Sequence, residues 1–366
     1  MKVPSSLPPV LLKETSSETW ENSRRPELLA LLRDEVYGAA PLRGFSTRFS
    51  LSEETKDAMH TKIDCRAYTV TVSAPLGEYR FPFYLYLPQQ RKGPLPVLLL
   101  INNRERGLID PKSSRTDGFF PVAELTARGF AAAALLTKDV DTDQDDGFQN
   151  GIVRIFESDL SHRAPNAWGT IAAWAFGASR VMDCLSQLPE LDPARISAVG
   201  HSRGGKTALW CAANDRRFYS AYSSCSGCTG AAITRGKQGE RVADINRAFP
   251  YWFCQNYKNW NGREEEMPFD QQMLLALIAP RPLYVGSATE DLWADPQAEF
   301  LSACLAGEAY RLYGEKGLAG EFPAPETPLH GGRIGYHLRT GEHNLTAYDW
   351  QRYIDFLQGQ PDFAVK

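Results

Sequence analysis

Three features of the sequence predict an α/β protein, a mostly parallel sheet with helices on both faces. Apolar runs of strand length alternate with segments of helical spacing through most of the chain. A pair of alternating runs near the start reads as an antiparallel hairpin. In Arg195-Ile-Ser-Ala-Val-Gly-His-Ser-Arg-Gly-Gly-Lys-Thr-Ala-Leu-Trp210 an apolar strand turns through Gly200-His201-Ser202-Arg203-Gly204 straight into a helical stretch free of breakers.

Taken in order, residues 1 to 18 are rich in Pro and Ser and read as a surface arm. Trp20 to Tyr37 carries Leu28, Leu29, Leu31, Leu32 and Val36 at helical spacing, an N-terminal helix. Tyr68 to Ser73 and Phe81 to Leu87 alternate, and Pro75-Leu-Gly-Glu78 between them supplies the turn. Pro96 to Asn102 and Phe130 to Leu136 are continuously apolar, as central strands covered on both faces must be, with a helix from Phe120 to Arg128 between them. The run Asp139 to Asp146 holds five aspartates, without the glycine and terminal glutamate of a calcium hand, and reads as a solvated loop. A helix from Ala167 to Leu188 precedes the elbow strand. Later strands are Phe218 to Ser224, Pro282 to Ser287 and Ile334 to Arg339, with helices at Gln272 to Ile278, Gln297 to Arg311 and Tyr348 to Leu357.

A serine between glycines on a tight strand-to-helix turn is a nucleophile elbow: small neighbours permit the backbone, and the turn lifts the hydroxyl above the sheet. With the flanks it requires, the pattern predicts an α/β-hydrolase fold with Ser202 as nucleophile. Residues 1–366 form one domain in this reading, with an N-terminal arm and helix over 1–38 and a cap-like insertion from about Gly227 to Met267. That insertion follows a strand at the elbow edge, which places it over the catalytic face. Its Gln238, Glu240 and Trp252 are candidate sugar contacts, since aromatic planes mixed with planar polar groups suit a ring with an apolar face and a hydroxyl rim. The same aromatics equally suit a small core of the cap itself.

Composition sets outer limits. The chain is 43% hydrophobic and 23% charged, an ordinary globular balance, and its net charge of -4 leaves no polybasic footprint for nucleic acid or anionic membrane. Of its 7 cysteines only Cys225-Ser-Gly-Cys228 has metal or redox spacing, and no second pair completes a site, so neither metal nor cofactor is expected. No signal sequence opens the numbering and no apolar run approaches a membrane span; the chain reads as cytoplasmic, or secreted if a leader has been removed.

A serine hydroxyl needs a base, and the base needs an acid to orient it. In this fold the chain order is serine, acid, histidine. His343 lies just beyond the last strand and before the closing helix, where the base is delivered; His337 lies within the strand and His330 in a Pro-rich loop. The acid belongs after the strand ending at Ser287, where Glu290, Asp291 and Asp295 compete. Asp291 has the favoured position, Glu290 points the other way, and Asp295 before Pro296 is a helix cap. Trp293 faces the same pocket. The Arg203 amide is the natural oxyanion donor. Arg203 and Lys206 together open a helix whose N-terminus is already positive, a local cost that argues for functional use.

With these residues in place, the chain resembles the glucuronoyl esterases, carbohydrate esterase family fifteen, in particular their bacterial branch. The likeness rests on Arg24-Arg-Pro-Glu27 and Val36-Tyr-Gly38, the elbow Gly200-His-Ser-Arg-Gly-Gly-Lys206, Pro268 to Arg281, Glu290-Asp-Leu-Trp293 and Gly335 to Trp350. It implies that Ser202 attacks an ester, that Arg203 stabilises the oxyanion, that Lys206 and Trp293 contact a uronate ring and that His343 is the base. It also implies a 4-O-methyl-glucuronate ester of xylan as the carbohydrate ester substrate. There are two departures. His201 stands where the family usually has cysteine, and Cys225 stands where many members have a catalytic glutamate, which leaves Asp291 as the acid. The rival readings are an acetylxylan or acetyl-sugar esterase and a non-catalytic carbohydrate-binding homologue.

Overall fold

The computed structural model describes residues 3–58, 61–113 and 118–363. Its strands are β1 (Ser46–Thr55), β2 (Ile63–Ala74), β3 (Gly77–Pro88), β4 (Leu95–Asn102), β5 (Ala131–Leu136), β6 (Leu191–His201), β7 (Ser220–Ser224), β8 (Leu283–Ala288) and β9 (Ile334–Arg339). They form a nine-stranded sheet in the order β1-β2-β3-β5-β4-β6-β7-β8-β9. The first three strands join antiparallel, β3 meets β5 antiparallel, and everything from β5 to β9 is parallel. The predicted hairpin is β2-β3. The edge strand β1 was not anticipated from sequence, because its residues are mostly exposed and polar and it gains its form from pairing with β2.

The continuous apolar runs follow from a sheet covered on both sides. In β4, Val97, Leu99 and Ile101 join one core layer, while Leu98 and Leu100 join the other; in β5, Ala131, Ala133 and Leu135 alternate with Ala132, Ala134 and Leu136 in the same way. A period-2 backbone sends successive side chains to opposite faces, so two buried faces demand an unbroken apolar sequence. The first layer packs the N-terminal helix α1 (Arg25–Leu32) together with α3 (Thr170–Leu185) and α4 (Arg203–Asn214). The second packs α2 (Val122–Ala127) and the closing helix α8 (Ala347–Gln358). Between β7 and β8 the chain forms α5 (Val242–Ala248) and α6 (Gln271–Ala276), and α7 (Pro296–Arg311) follows β8. No helix among the described residues is long and apolar enough to cross a membrane.

The segment from Gly227 to Met267 packs against the N-terminal helical region rather than standing free. Cys254 donates its amide to the Val36 carbonyl (2.9 Å), Tyr37 donates its hydroxyl to the Thr229 carbonyl (2.9 Å), and the Tyr251 and Trp252 carbonyls accept from Thr170 and Ile171, the first amides of α3. Those amides have no partner within their own helix, so this contact caps it.

Candidate active site

Neighbouring strands of a sheet run about 4.8 Å apart, so residues that follow the carboxyl ends of consecutive strands line up along one rim. Ser202 follows β6, Cys225 follows β7, Asp291 follows β8 and His343 follows β9. Four segments far apart in sequence are thereby neighbours in order.

Ser202 has φ 57° and ψ -126°, a positive-φ conformation that costs a non-glycine residue on the order of 1–3 kcal/mol. The turn is held by the Ser202 amide donating to the Ser224 carbonyl (2.8 Å) and the Lys206 amide donating to the Ser202 carbonyl (3.1 Å). It also needs its glycines: a Cβ at Gly200 would fall 2.0 Å from the Gly204 carbonyl oxygen, and one at Gly204 would fall 2.6 Å from that of Ile101. The Ser202 hydroxyl makes no hydrogen bond among the described residues. Arg203 is the first residue of α4, so its amide has no carbonyl one turn earlier in the helix to bind.

His343 Nδ1 stands 2.6 Å from Asp291 Oδ2, the carboxylate buried and the imidazole 42% exposed. Their two loops are tied together through the backbone. Thr289 donates to the Arg339 carbonyl (2.9 Å), Glu290 to the Gly341 carbonyl (3.0 Å), and the Gly341 amide to Thr289 Oγ1 (3.1 Å). Arg339, buried against Asp349, clamps the loop that carries His343 by donating to the carbonyls of Glu342 (2.7 Å) and Asn344 (2.6 Å). Glu290 is exposed, Asp295 caps α7 by accepting from the Ala298 amide (3.1 Å), His337 is locked between Asp349 and Tyr284, and His330 binds the Tyr284 hydroxyl.

His201 places its ring 4.5 Å from that of His343, centroid to centroid. Burial first, then the neighbouring His343 and Arg104, hold its pKa well below the usual imidazole range, so it is neutral. Cys225 is buried at the end of β7 with φ 47°; one potential donor atom each from Cys225, Asp291 and His343 lie within 4.8 Å of one another.

The acidic loop departs from expectation. It is not a solvated run: Asp139 pairs with Arg106 (2.5 Å), Asp141 is fully buried, and Asp143 reaches the elbow. Asp143 Oδ2 forms an ion pair with Arg203 Nε (2.8 Å), and its Oδ1 accepts from Trp252 Nε1 (2.8 Å) and the Tyr251 hydroxyl (3.2 Å). Arg203 also donates to the Asn103 carbonyl (3.2 Å) and lies 5.8 Å above the Trp252 ring. Asp143 therefore fixes the guanidinium of the residue that follows Ser202. A hydrogen bond to a charged group contributes about 1.5–3 kcal/mol, so Asp143→Asn is expected to lower kcat/KM by about 10- to 100-fold and to lower Tm by a few degrees, read from initial rates and thermal unfolding.

Burial pushes the Asp141 carboxyl up to about 8, with Asp146 adding to the effect and Arg163 opposing it. An unfolded aspartate ionises near about 4, so between these values the folded chain holds a proton that the unfolded chain has lost. The folded state binds more protons there, and stability falls as pH rises through the window. Asp141→Asn is expected to shrink the Tm difference between pH 5 and pH 8, measured by thermal melts.

The candidate sugar contacts divide. Trp293 is 58% exposed two residues after Asp291, and Gln238, also exposed, donates its amide to Asp295 (2.7 Å). The Glu240 amide donates to the Trp293 carbonyl (3.0 Å). Lys206 is only 4% exposed, so it is not a solvated charge: its Nζ donates to the Ser226 (2.5 Å) and Cys228 (2.6 Å) carbonyls, 4.0 Å from Glu240. Lys237, also buried, donates to the carbonyls of Gln238, Glu240 and Trp293 and binds that rim together. Trp252 is a correction. It is 3% exposed, stacked on Phe249 at 3.7 Å with Arg203 also over the ring, so it offers no open plane to a sugar; Phe253 and Tyr257 are likewise core. Sequence reasoning missed Asp143, Arg339 and Lys237, whose partners are distant or are backbone carbonyls.

Known proteins similar to this chain point to one family. The sequence family described as "Glucuronyl esterase, fungi" matches residues 70–314. A carbohydrate esterase, MZ0003, from an unknown prokaryotic organism is 35% identical over 373 residues, covering 94% of this chain and 86% of that protein. A 4-O-methyl-glucuronoyl methylesterase from Schizophyllum commune is 24% identical over 82% of this chain and 70% of its own length. Among solved structures, a glucuronoyl esterase from Solibacter usitatus superimposes with a TM-score of 0.88 at 36% identity, covering 97% of this chain and 98% of that one. The α/β-hydrolase fold expected from the elbow is the fold these structures share with this chain.

Proposed function

Since the chain belongs to the glucuronoyl esterase family, carbohydrate esterase family fifteen, we propose that it is a serine esterase that hydrolyses a glucuronate ester, the 4-O-methyl-glucuronate ester of xylan being the substrate class. Ser202 Oγ attacks the ester carbonyl as His343 takes its proton. Asp291 holds the imidazole by Nδ1, so that the other nitrogen faces the hydroxyl, and balances the imidazolium that forms. The contact between hydroxyl and imidazole closes when the ester seats, as such hydrogen bonds tighten in the substrate complex. The Arg203 amide and guanidinium take the charge developing on the carbonyl oxygen. His343 returns the proton to the leaving alcohol, which leaves a glucuronoyl group on Ser202. Water, deprotonated by His343, then releases glucuronate. Trp293, Gln238 and Glu240 meet the sugar, and Lys206 contributes its positive charge from beneath.

The observation that supports this most is the 2.6 Å contact of His343 with a buried Asp291 on the rim that also carries the strained Ser202. Comparing a benzyl glucuronate ester with p-nitrophenyl acetate tests it. A site built to pair with a hydroxylated sugar ring should prefer the glucuronate ester in kcat/KM by on the order of 10²-fold or more. Turnover of the acetate alone would overturn the reading in favour of an acetyl esterase.

A further inference from the structure

We propose that Cys225, Asp291 and His343 form a latent Zn²⁺ site whose occupancy switches the esterase off. The proposed reaction gives Cys225 no part, yet its backbone sits at φ 47°, where glycine would be free of strain, with its amide donated to the Gly286 carbonyl (2.7 Å). Its thiol shares a small space with the acid and the base. The three donor atoms come from the ends of adjacent strands β7, β8 and β9 and lie within 4.8 Å of one another.

Zinc takes sulfur at about 2.3 Å and nitrogen or oxygen at about 2.0–2.2 Å. Donors around a tetrahedral ion therefore stand about 3.3–3.8 Å apart. His343 Nδ1 and Asp291 Oδ2 already stand 2.6 Å apart, so an ion held between them would part this pair by roughly an ångström, within reach of a rotamer adjustment of the half-exposed His343. Thiolate, imidazole and carboxylate together select zinc over calcium or magnesium, which prefer all-oxygen shells. One thiolate and one carboxylate balance the dication. The thiol proton passes to solvent as the metal binds, and water fills the fourth position. A neutral imidazole has a single lone pair. Whichever ring nitrogen holds the metal, none is left to accept the Ser202 proton, so a loaded site cannot hydrolyse an ester.

The switching rests on the esterase reading, whereas the cobalt band and the calorimetry test the metal site independently of it. Cobalt(II), substituted for zinc, reports a bound thiolate by a sulfur-to-metal charge-transfer band in the near ultraviolet. The purified full chain is expected to show that band at one equivalent of Co²⁺ and to lose it on adding Zn²⁺. Cys225→Ser is expected to abolish the band and weaken Zn²⁺ binding, measured by calorimetry, on the order of 100-fold. Cys225→Gly, suited to the local backbone, should do the same if the serine variant folds poorly. Zn²⁺ should inhibit wild-type turnover and EDTA restore it, with the Cys225 variants resistant. Absence of the band in the wild type, or Zn²⁺ affinity unchanged in both variants, would overturn the proposal even if glucuronate esterase activity is present.

Discussion

Ser202→Ala is expected to lower kcat on a glucuronate ester by roughly 10⁵-fold while KM and Tm stay near their wild-type values. The hydroxyl makes no hydrogen bond among the described residues, so its removal leaves no partner unpaired. The turn is held by the amide of residue 202 and by Gly200 and Gly204, which the variant retains. Alanine adopts φ 57° at much the same cost as serine, so folding is unaffected. A loss of activity accompanied by a large fall in Tm would mean that the serine is structural. Steady-state kinetics together with thermal melts separate the two.

Asp291→Asn follows, with an expected fall in kcat of about 10³- to 10⁴-fold. The carboxylate is buried and its Oδ2 is 2.6 Å from His343 Nδ1, so it fixes which ring nitrogen carries the proton. An amide that turns its NH₂ toward the ring favours the opposite tautomer and cannot balance an imidazolium. Glu290, one residue earlier and exposed, is the control: Glu290→Gln should change kcat less than about twofold. Equal losses in the two variants would remove Asp291 from the mechanism.

How much of this was legible beforehand depends on the kind of partner each residue has. Ser202 was readable because an elbow needs glycines at fixed offsets and a strand and helix on either side, all of which are local. Asp291 and His343 were readable because the fold fixes the order of strand ends, and each lies just past one. Asp143 was not: five clustered aspartates read as solvated, and its Arg203 partner is sixty positions along the chain. Lys206 and Lys237 donate to carbonyls of the loops they hold, and a backbone acceptor leaves no trace in residue type. The edge strand β1 lacks the apolar alternation that marked its neighbours, because its residues are mostly exposed. Trp252 has the composition of a sugar platform, but only its neighbours Phe249 and Arg203 reveal that its ring is already covered.

The most direct measurement is covalent: intact-mass and peptide-mapping analysis after treatment with a fluorophosphonate, on the wild type and on His343→Ala. A single adduct on Ser202, formed quickly in the wild type and at least about 10³-fold more slowly without the imidazole, is the outcome expected of a nucleophile activated by that base. An adduct on another residue, or labelling of Ser202 at the same rate in both proteins, would contradict it.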